Sequence, residues 1–320
     1  AETPGPVFSK LVPKQSTTSK ILYSIYFGLT VVETVLLKIA GMPWYDAVIH
    51  ALSSAGTGGF SNRNASVGAY GSVAIDLIIT VFILLFSVNF AVYFLLLTRK
   101  FRDILASDEL RFFLTVVAGA TLLIAWNIRG LYSSFAQALR YAVFQVASII
   151  STTGFATADF TLWPQLSHLI LILIMFCGAC AGSTGGGMKC SRILILGRSL
   201  RREIHRIVHP RSVEVVTLDG KVVEEETIHS ALTFVGSYFL VILAGALIIS
   251  LDNFSFSVSF SAALTCVSNV GPGLELIGPA GNFSIFSPLS KLVMALCMIV
   301  GRLEILPVLV LFSRSTWRKG

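Results

Sequence analysis

Apolar residues in this chain run in blocks too long for amphipathic surface helices and too continuous for half-buried strands. Six blocks, near residues 21–40, 73–98, 110–127, 165–197, 228–251 and 286–312, reach the roughly 20 helical residues that cross a hydrocarbon core of about 30 Å. Between the members of each successive pair lies a shorter apolar run, at 43–60, 133–156 and 256–274, which closes in a Gly-rich turn. Runs of about 10–14 residues cannot cross a bilayer and read as re-entrant segments. The pattern predicts helix, half-helix, turn, helix, three times over.

The three units share a register. Ile49 to Phe60 aligns without gaps on Phe144 to Phe155, so that Gly59 and Gly154 are offset by 95, and a further offset of 117 brings Gly271 into line. The same alignment matches Ser53 with Ser148 and Thr265, and Thr57 with Thr152 and Asn269.

Composition turns these blocks into membrane spans. The 320 residues are 54% hydrophobic and only 13% charged, with a mean hydropathy of +0.80, about half the charge of a soluble domain. The 24 Lys and Arg exceed the 17 Asp and Glu by seven, and their placement excludes nucleic acid as the reason. Lys10, Lys14, Lys20, Arg99, Lys100, Arg102, Arg111, the basic residues from Lys189 to Lys221, Arg314, Arg318 and Lys319 fall on one side of the spans; only Arg63, Arg129 and Arg140 fall clearly on the other. The excess marks the cytoplasmic side. Both termini are expected there, with the re-entrant segments entering from outside. The stretch 198–227 is the longest soluble piece: Arg198, Arg201, Arg202, Arg206 and Arg211 suit anionic lipid heads, and Asp219-Gly220 signals a hairpin.

A re-entrant turn leaves backbone carbonyls without helical partners, which is tolerated only where they are buried in protein or line a wet cavity. Several such turns on one axis would present a carbonyl ring that replaces the hydration shell of an alkali cation, with the negative ends of the half-helices aimed at it. Thr57, Gly58 and Gly59, Thr152, Thr153 and Gly154, and Asn269, Val270 and Gly271 are therefore the expected filter, with the cation held at Thr57, Gly58, Thr152, Thr153, Asn269 and Val270. No carboxylate lies in these turns, which argues against divalent selection. The block 165–197 is interrupted at Gly178 to Gly187, five glycines in ten residues, where helix propensity fails. Met188 separates that run from Lys189, so it is not a phosphate-binding P-loop. Arg302 lies inside the last block, a functional position by default; it is expected to face the pore with Lys189 nearby and to hold cations back or steady the glycine loop, unless it pairs with Glu304.

These residues resemble the superfamily of TrkH, KtrB and plant HKT potassium transporters, the TrkH branch most closely. The likeness is carried by Pro4-Gly5-Pro6, Gly58-Gly59-Phe60, Ser151 to Phe155, Gly182 to Lys189, Asn269 to Gly273 and Gly301-Arg302-Leu303-Glu304. It implies an all-α polytopic membrane protein built from M1-P-M2 repeats, with potassium as the transported ion, no cofactor, and a bacterial inner (plasma) membrane location. It further implies a homodimer, a cytosolic nucleotide-binding regulatory ring of the TrkA kind, and an intramembrane gate of Gly178, Gly182, Ser183, Thr184, Gly185, Gly186, Gly187, Lys189 and Arg302. The family has four repeats. This chain is expected to hold the second (1–106), third (107–227, gate loop 178–189) and fourth (228–320), an incomplete pseudo-four-fold pore truncated at its N-terminus.

Other chemistries find less support. Cys177, Cys180, Cys190, Cys266 and Cys297 lie in or beside apolar stretches without zinc or disulfide spacing, and the CxxC of Cys177 and Cys180 reads as helix packing. His205 and His209 lack a third metal ligand, and Glu224 to Glu226 reads as a solvated run. Ser183 or Cys180 as a membrane nucleophile has no His or Asp placed as a base, so the chain is read as no enzyme. The nearer alternative is a sodium- or proton-coupled symporter of the same superfamily, although parallel rather than inverted repeats favour a channel-like path.

Overall fold

The computed structural model describes residues 15–311; Pro4-Gly5-Pro6, Lys10, Lys14, Arg314, Arg318 and Lys319 lie outside the described residues. The chain folds as an all-α membrane protein. Its first unit is α1 (Gln15–Ile39), the half-helix α2 (Trp44–Ala55) and α3 (Val73–Ser87), followed by α4 (Phe90–Leu97) and α5 (Phe101–Ala106). The second is α6 (Asp108–Ile128), the half-helix α7 (Phe135–Ile150) and α8 (Gln165–Cys177), followed by α9 (Cys190–Val208). A two-stranded antiparallel hairpin, β1 (Thr217–Leu218) and β2 (Lys221–Val222), turns at Asp219-Gly220 as the dipeptide predicts. The third unit is α10 (Glu225–Ile249), the half-helix α11 (Phe256–Ser268) and α12 (Pro288–Arg302), with α13 (Ile305–Leu311) after it. Within each unit the half-helix packs against both flanking helices.

Local sequence explains the boundaries. Ser72, Ser107, Ser134, Ser255 and Ser287 cap α3, α6, α7, α11 and α12 by accepting a backbone N–H one turn on. Pro288 occupies the first turn of α12, where a missing N–H costs nothing. The half-helices are buried almost all round near their C-terminal ends, with Phe144 to Ile150 and Ser261 to Ser268 enclosed. Leu, Val and Phe side chains of the long helices face outward, among them Leu122, Leu123, Leu240 and Leu247, an apolar exterior suited to lipid.

Three predicted spans break. The block 73–98 bends by 93° between α3 and α4. Val88 and Asn89 leave the helix where α3's terminal carbonyls are claimed from elsewhere: Cys180 donates its N–H to Ser87 O (3.0 Å) and Thr184 donates its own to Phe86 O (3.3 Å). Asn89 then caps α4 through Ala91 N. The block 165–197 is two helices, α8 and α9, separated by the glycine loop, and α9 runs on to Val208. The block 286–312 ends its first helix at Arg302, before Glu304 in left-handed conformation. Helices of sufficient length and hydropathy to cross a membrane are Ser19–Ile39, Asp108–Leu131 and Glu225–Asp252 among the described residues, with the bent α3–α4 pair a fourth if it counts as one span.

Candidate functional site

The three Gly-rich turns have one backbone design. One or two residues past each half-helix stands a non-glycine residue with positive φ, namely Thr57 (+49°), Thr152 (+59°) and Asn269 (+58°). Two residues on comes a positive-φ glycine, Gly59 (+66°), Gly154 (+86°) and Gly271 (+108°), and the residues between do not share that sign. Non-glycine residues rarely adopt this region without reason. The N–H groups close back onto the half-helix in the same way in all three turns: Thr57 to Ser54 O, Thr152 to Ile149 O and Asn269 to Cys266 O, then Gly58 to Ser53 O, Thr153 to Ser148 O and Val270 to Thr265 O.

A hydroxyl braces each turn across seven residues. Ser53 Oγ accepts from Phe60 N (2.6 Å), Ser148 Oγ donates to Phe155 O (2.6 Å), and Thr265 Oγ1 donates to Pro272 O (3.1 Å) while accepting from Gly271 N (2.9 Å). The repeat alignment matches these three residues without revealing what they do. Their signal is a hydroxyl four positions before the positive-φ residue in each unit.

The turns converge. A Cβ at Gly59 would collide with the carbonyl oxygen of Thr153, and one at Gly154 with that of Val270; Gly271 has open space around it. Only glycine lets neighbouring repeats approach until a carbonyl of one meets the Cα of the next. The expected filter residues Thr57 to Gly59, Thr152 to Gly154 and Asn269 to Gly271 are thus brought together, with carbonyls crowded where the turns meet.

The glycine loop packs directly against these turns. Thr57 Oγ1 donates to Thr184 O (3.0 Å), and Gly186 N donates to Thr152 Oγ1 (2.6 Å). Gly186 lies too close to Ser268 O to carry a Cβ and also adjoins Asn269. Gly178, Gly182 and Gly187 hold positive φ, the backbone reason for glycine there. Lys189 Nζ donates to Gly185 O. From α12, Arg302 Nη1 donates to Thr184 O (3.2 Å). Glu304, the alternative partner weighed for Arg302, takes Arg192 Nη2 on its Oε1 at 3.0 Å, and the Arg192 guanidinium lies over the Phe234 ring. Ser183 to Gly187, Lys189, Arg302 and Glu304 share one cavity of about 360 Å³ with Tyr26, Gly56, Phe234 and Gly301.

The remaining candidates are accounted for by packing. Cys177 is half-buried and the other four cysteines are buried, all as free thiols. The His205 and His209 rings touch at a tilt of 52°, centroids 4.8 Å apart, and His205 Nδ1 meets Glu214 Oε1 at 3.0 Å. On α9, Arg202 pairs with Glu225 and Arg206 with Glu203, so part of the basic run is neutralised within the protein.

Comparison with known proteins points in one direction. The profile of the family described as TrkH, cation transport protein, matches residues 8–319. The Trk system potassium uptake protein TrkH of Salmonella typhimurium is 37% identical over 328 aligned positions, covering 100% of this chain and 66% of that protein. The Trk system potassium uptake protein TrkG of Escherichia coli is 33% identical, covering 99% and 66%. The crystal structure of the potassium transporter TrkH from Vibrio parahaemolyticus superposes with a TM-score of 0.88 at 33% identity, covering 97% of this chain and 67% of that one. The chain spans about two thirds of the length of these curated relatives.

Proposed function

The chain belongs to the TrkH family of cation transport proteins, and from that membership we propose that it conducts potassium ions into the cell through a channel-like path. The carrying observation is the meeting of three like turns: positive φ at Thr57, Thr152 and Asn269, then at Gly59, Gly154 and Gly271, with the Thr153 and Val270 carbonyls against neighbouring glycines. Carbonyl oxygens so placed replace water around a weakly hydrated monovalent cation. Thr57, Gly58, Thr152, Thr153, Asn269 and Val270 supply the oxygens. The half-helices α2, α7 and α11 end there, adding their negative dipole ends.

The loop 178–189 is the gate in this reading. It occupies the face of the turns that Thr57, Thr152 and Asn269 present, held by hydrogen bonds that a small backbone rotation at glycine can release. Arg302 and Lys189 place two positive charges on the same cavity, an electrostatic barrier to a cation until the loop moves. The three units are the second, third and fourth repeats of a four-repeat pore. The full protein acts in the bacterial inner membrane as a homodimer, with both termini on the cytoplasmic side, where a nucleotide-binding subunit of the TrkA kind engages it.

The test is complementation. The complete coding sequence, expressed in a bacterium lacking its own potassium uptake systems, is expected to restore growth at low potassium. No growth, with the protein present in the membrane, overturns the proposal; growth that follows sodium or pH rather than potassium favours coupled symport.

A further inference from the structure

The first turn of α6 joins two parts of the molecule that the chain keeps far apart. Glu109 is buried, 7% exposed, and its Oε1 accepts two backbone hydrogen bonds, from Ala181 N at 2.7 Å and from Ser191 N at 3.0 Å. Ala181 stands where the chain enters the glycine loop and Ser191 where it leaves in the first turn of α9. One carboxylate oxygen therefore fastens both ends of the loop. Buried backbone N–H groups need acceptors, and Glu109 supplies one for both.

The neighbouring residue faces the other way. Asp108 Oδ2 accepts from Arg198 Nη1 (2.9 Å) and from Asp219 N (2.9 Å), while Asp219 Oδ1 accepts from Asp108 N (2.6 Å). Asp219 is the turn of the β1–β2 hairpin. That hairpin is docked rather than loose: Val216, Leu218 and Val223 are buried in a small core with Ile195, Ile228 and Ala231 of α9 and α10. Hairpin, α6 N-terminus and loop thus form one chain of directed contacts.

Resting on the gate reading above, we propose that Glu109 is the positioning residue that holds the loop 178–189 against the filter turns, and that Asp108 and Asp219 make the hairpin the handle through which a bound cytosolic partner moves it. Displacing the hairpin tilts the first turn of α6, which withdraws the shared acceptor from both loop ends at once. The coupling is short because Asp108 and Glu109 are adjacent on one rigid helical turn.

The test uses the complete protein in liposomes with Ser183, buried in the loop, replaced by cysteine as a reporter. The rate of modification by a membrane-impermeant maleimide is read beside potassium flux, with the protein lacking S183C as baseline. E109A is expected to raise the labelling rate about tenfold, from the loss of two hydrogen bonds to one buried acceptor. E109Q keeps an acceptor at the same atom and is expected to recover at least half of that change. D219A is expected to raise labelling roughly threefold through the hairpin alone, within the usual range of coupling between sites. Wild-type labelling in E109A overturns the tether, and so does labelling in E109Q equal to that in E109A. Wild-type labelling in D219A overturns the handle. If E109A does not purify as a monodisperse protein, E109Q and D219A decide, and wild-type rates in both overturn the proposal. Labelling that rises while potassium flux stays flat leaves the tether standing and counts against the gate reading instead.

Discussion

Arg302 and Thr184 meet across 118 positions of sequence, guanidinium Nη1 to carbonyl oxygen at 3.2 Å. The same carbonyl accepts the hydroxyl of Thr57, from the first half-helix turn, at 3.0 Å. One backbone oxygen of the glycine loop is thus held from the half-helix turns by a threonine and from α12 by a cation. Any shift of the loop has to break both bonds, and any reorientation of Arg302 weakens the loop's hold on Thr57.

Arg302→Ala removes the cationic member of that pair and a positive charge from the cavity. We expect basal potassium flux through reconstituted full-length protein to rise about tenfold, which corresponds to the loss of one hydrogen bond to a charged group, with Arg302→Lys intermediate because a point charge replaces a fork. Unchanged transport kinetics and gating in R302A would remove Arg302 from the gate.

Gly59→Ala and Gly154→Ala test the convergence of the turns. Each adds a Cβ that collides with a backbone carbonyl of the next repeat at a position whose φ is already positive. Left-handed conformation alone costs an alanine roughly 1–2 kcal/mol, and neither colliding atom belongs to a flexible side chain. Both variants are expected to abolish potassium-dependent growth. Gly236→Ala, exposed on α10 with nothing within 4 Å, is expected to alter stability by no more than about 1 kcal/mol. Growth of G59A or G154A at low potassium would show that the turns need not touch.

The half-helices and their turns were legible because the physics that builds them is local. A hydroxyl, then a Thr or Asn, then a glycine recur at fixed spacing, and their backbone bonds close within eight residues. The 93° bend between α3 and α4 was not legible. Val73 to Leu97 holds no glycine or proline, and the helix ends at Ser87 because Cys180 and Thr184 compete for its last carbonyls. The contact of Glu304 with Arg192 was not legible either, because the two lie 112 positions apart and only the packing of α9 brings them to 3.0 Å. Glu109 carries no motif, since an acidic residue in the first turn of a helix is explained by the helix dipole before any tether is considered.

Thr265→Val examines the braces. The hydroxyl of Thr265, 1% exposed, is both donor to Pro272 O and acceptor from Gly271 N; valine keeps the shape and removes both bonds. Leaving Gly271 N unsatisfied costs about 1–3 kcal/mol, spent in the turn rather than in the helix packing. Selectivity for potassium over sodium in flux assays is therefore expected to fall severalfold, while Thr265→Ser, which retains the hydroxyl, preserves it. Equal selectivity in T265V and the parent would mean that the turn holds its shape without the brace.

The loop between α2 and α3 gives a prediction in pH. Asp46, in the first turn of α2, accepts from Tyr70 Oη (2.6 Å), Asn62 Nδ2 (2.5 Å) and Arg63 Nη2 (3.2 Å). The Tyr70 hydroxyl above all, then Asn62 and Arg63, hold its carboxyl below the usual carboxylate value, although burial works in the opposite direction. A carboxyl depressed in the folded state stabilises the fold at pH above its unfolded value of about 3.9, and that stability is lost as pH falls through the lower folded value. Residues 61–70 are therefore expected to keep constant amide protection, corrected for intrinsic exchange, from about pH 8 to pH 5, and to lose it only below about pH 4. In Asp46→Asn the protection is lower at neutral pH and the acid step disappears. An unaltered acid step in D46N would assign the titration to another group.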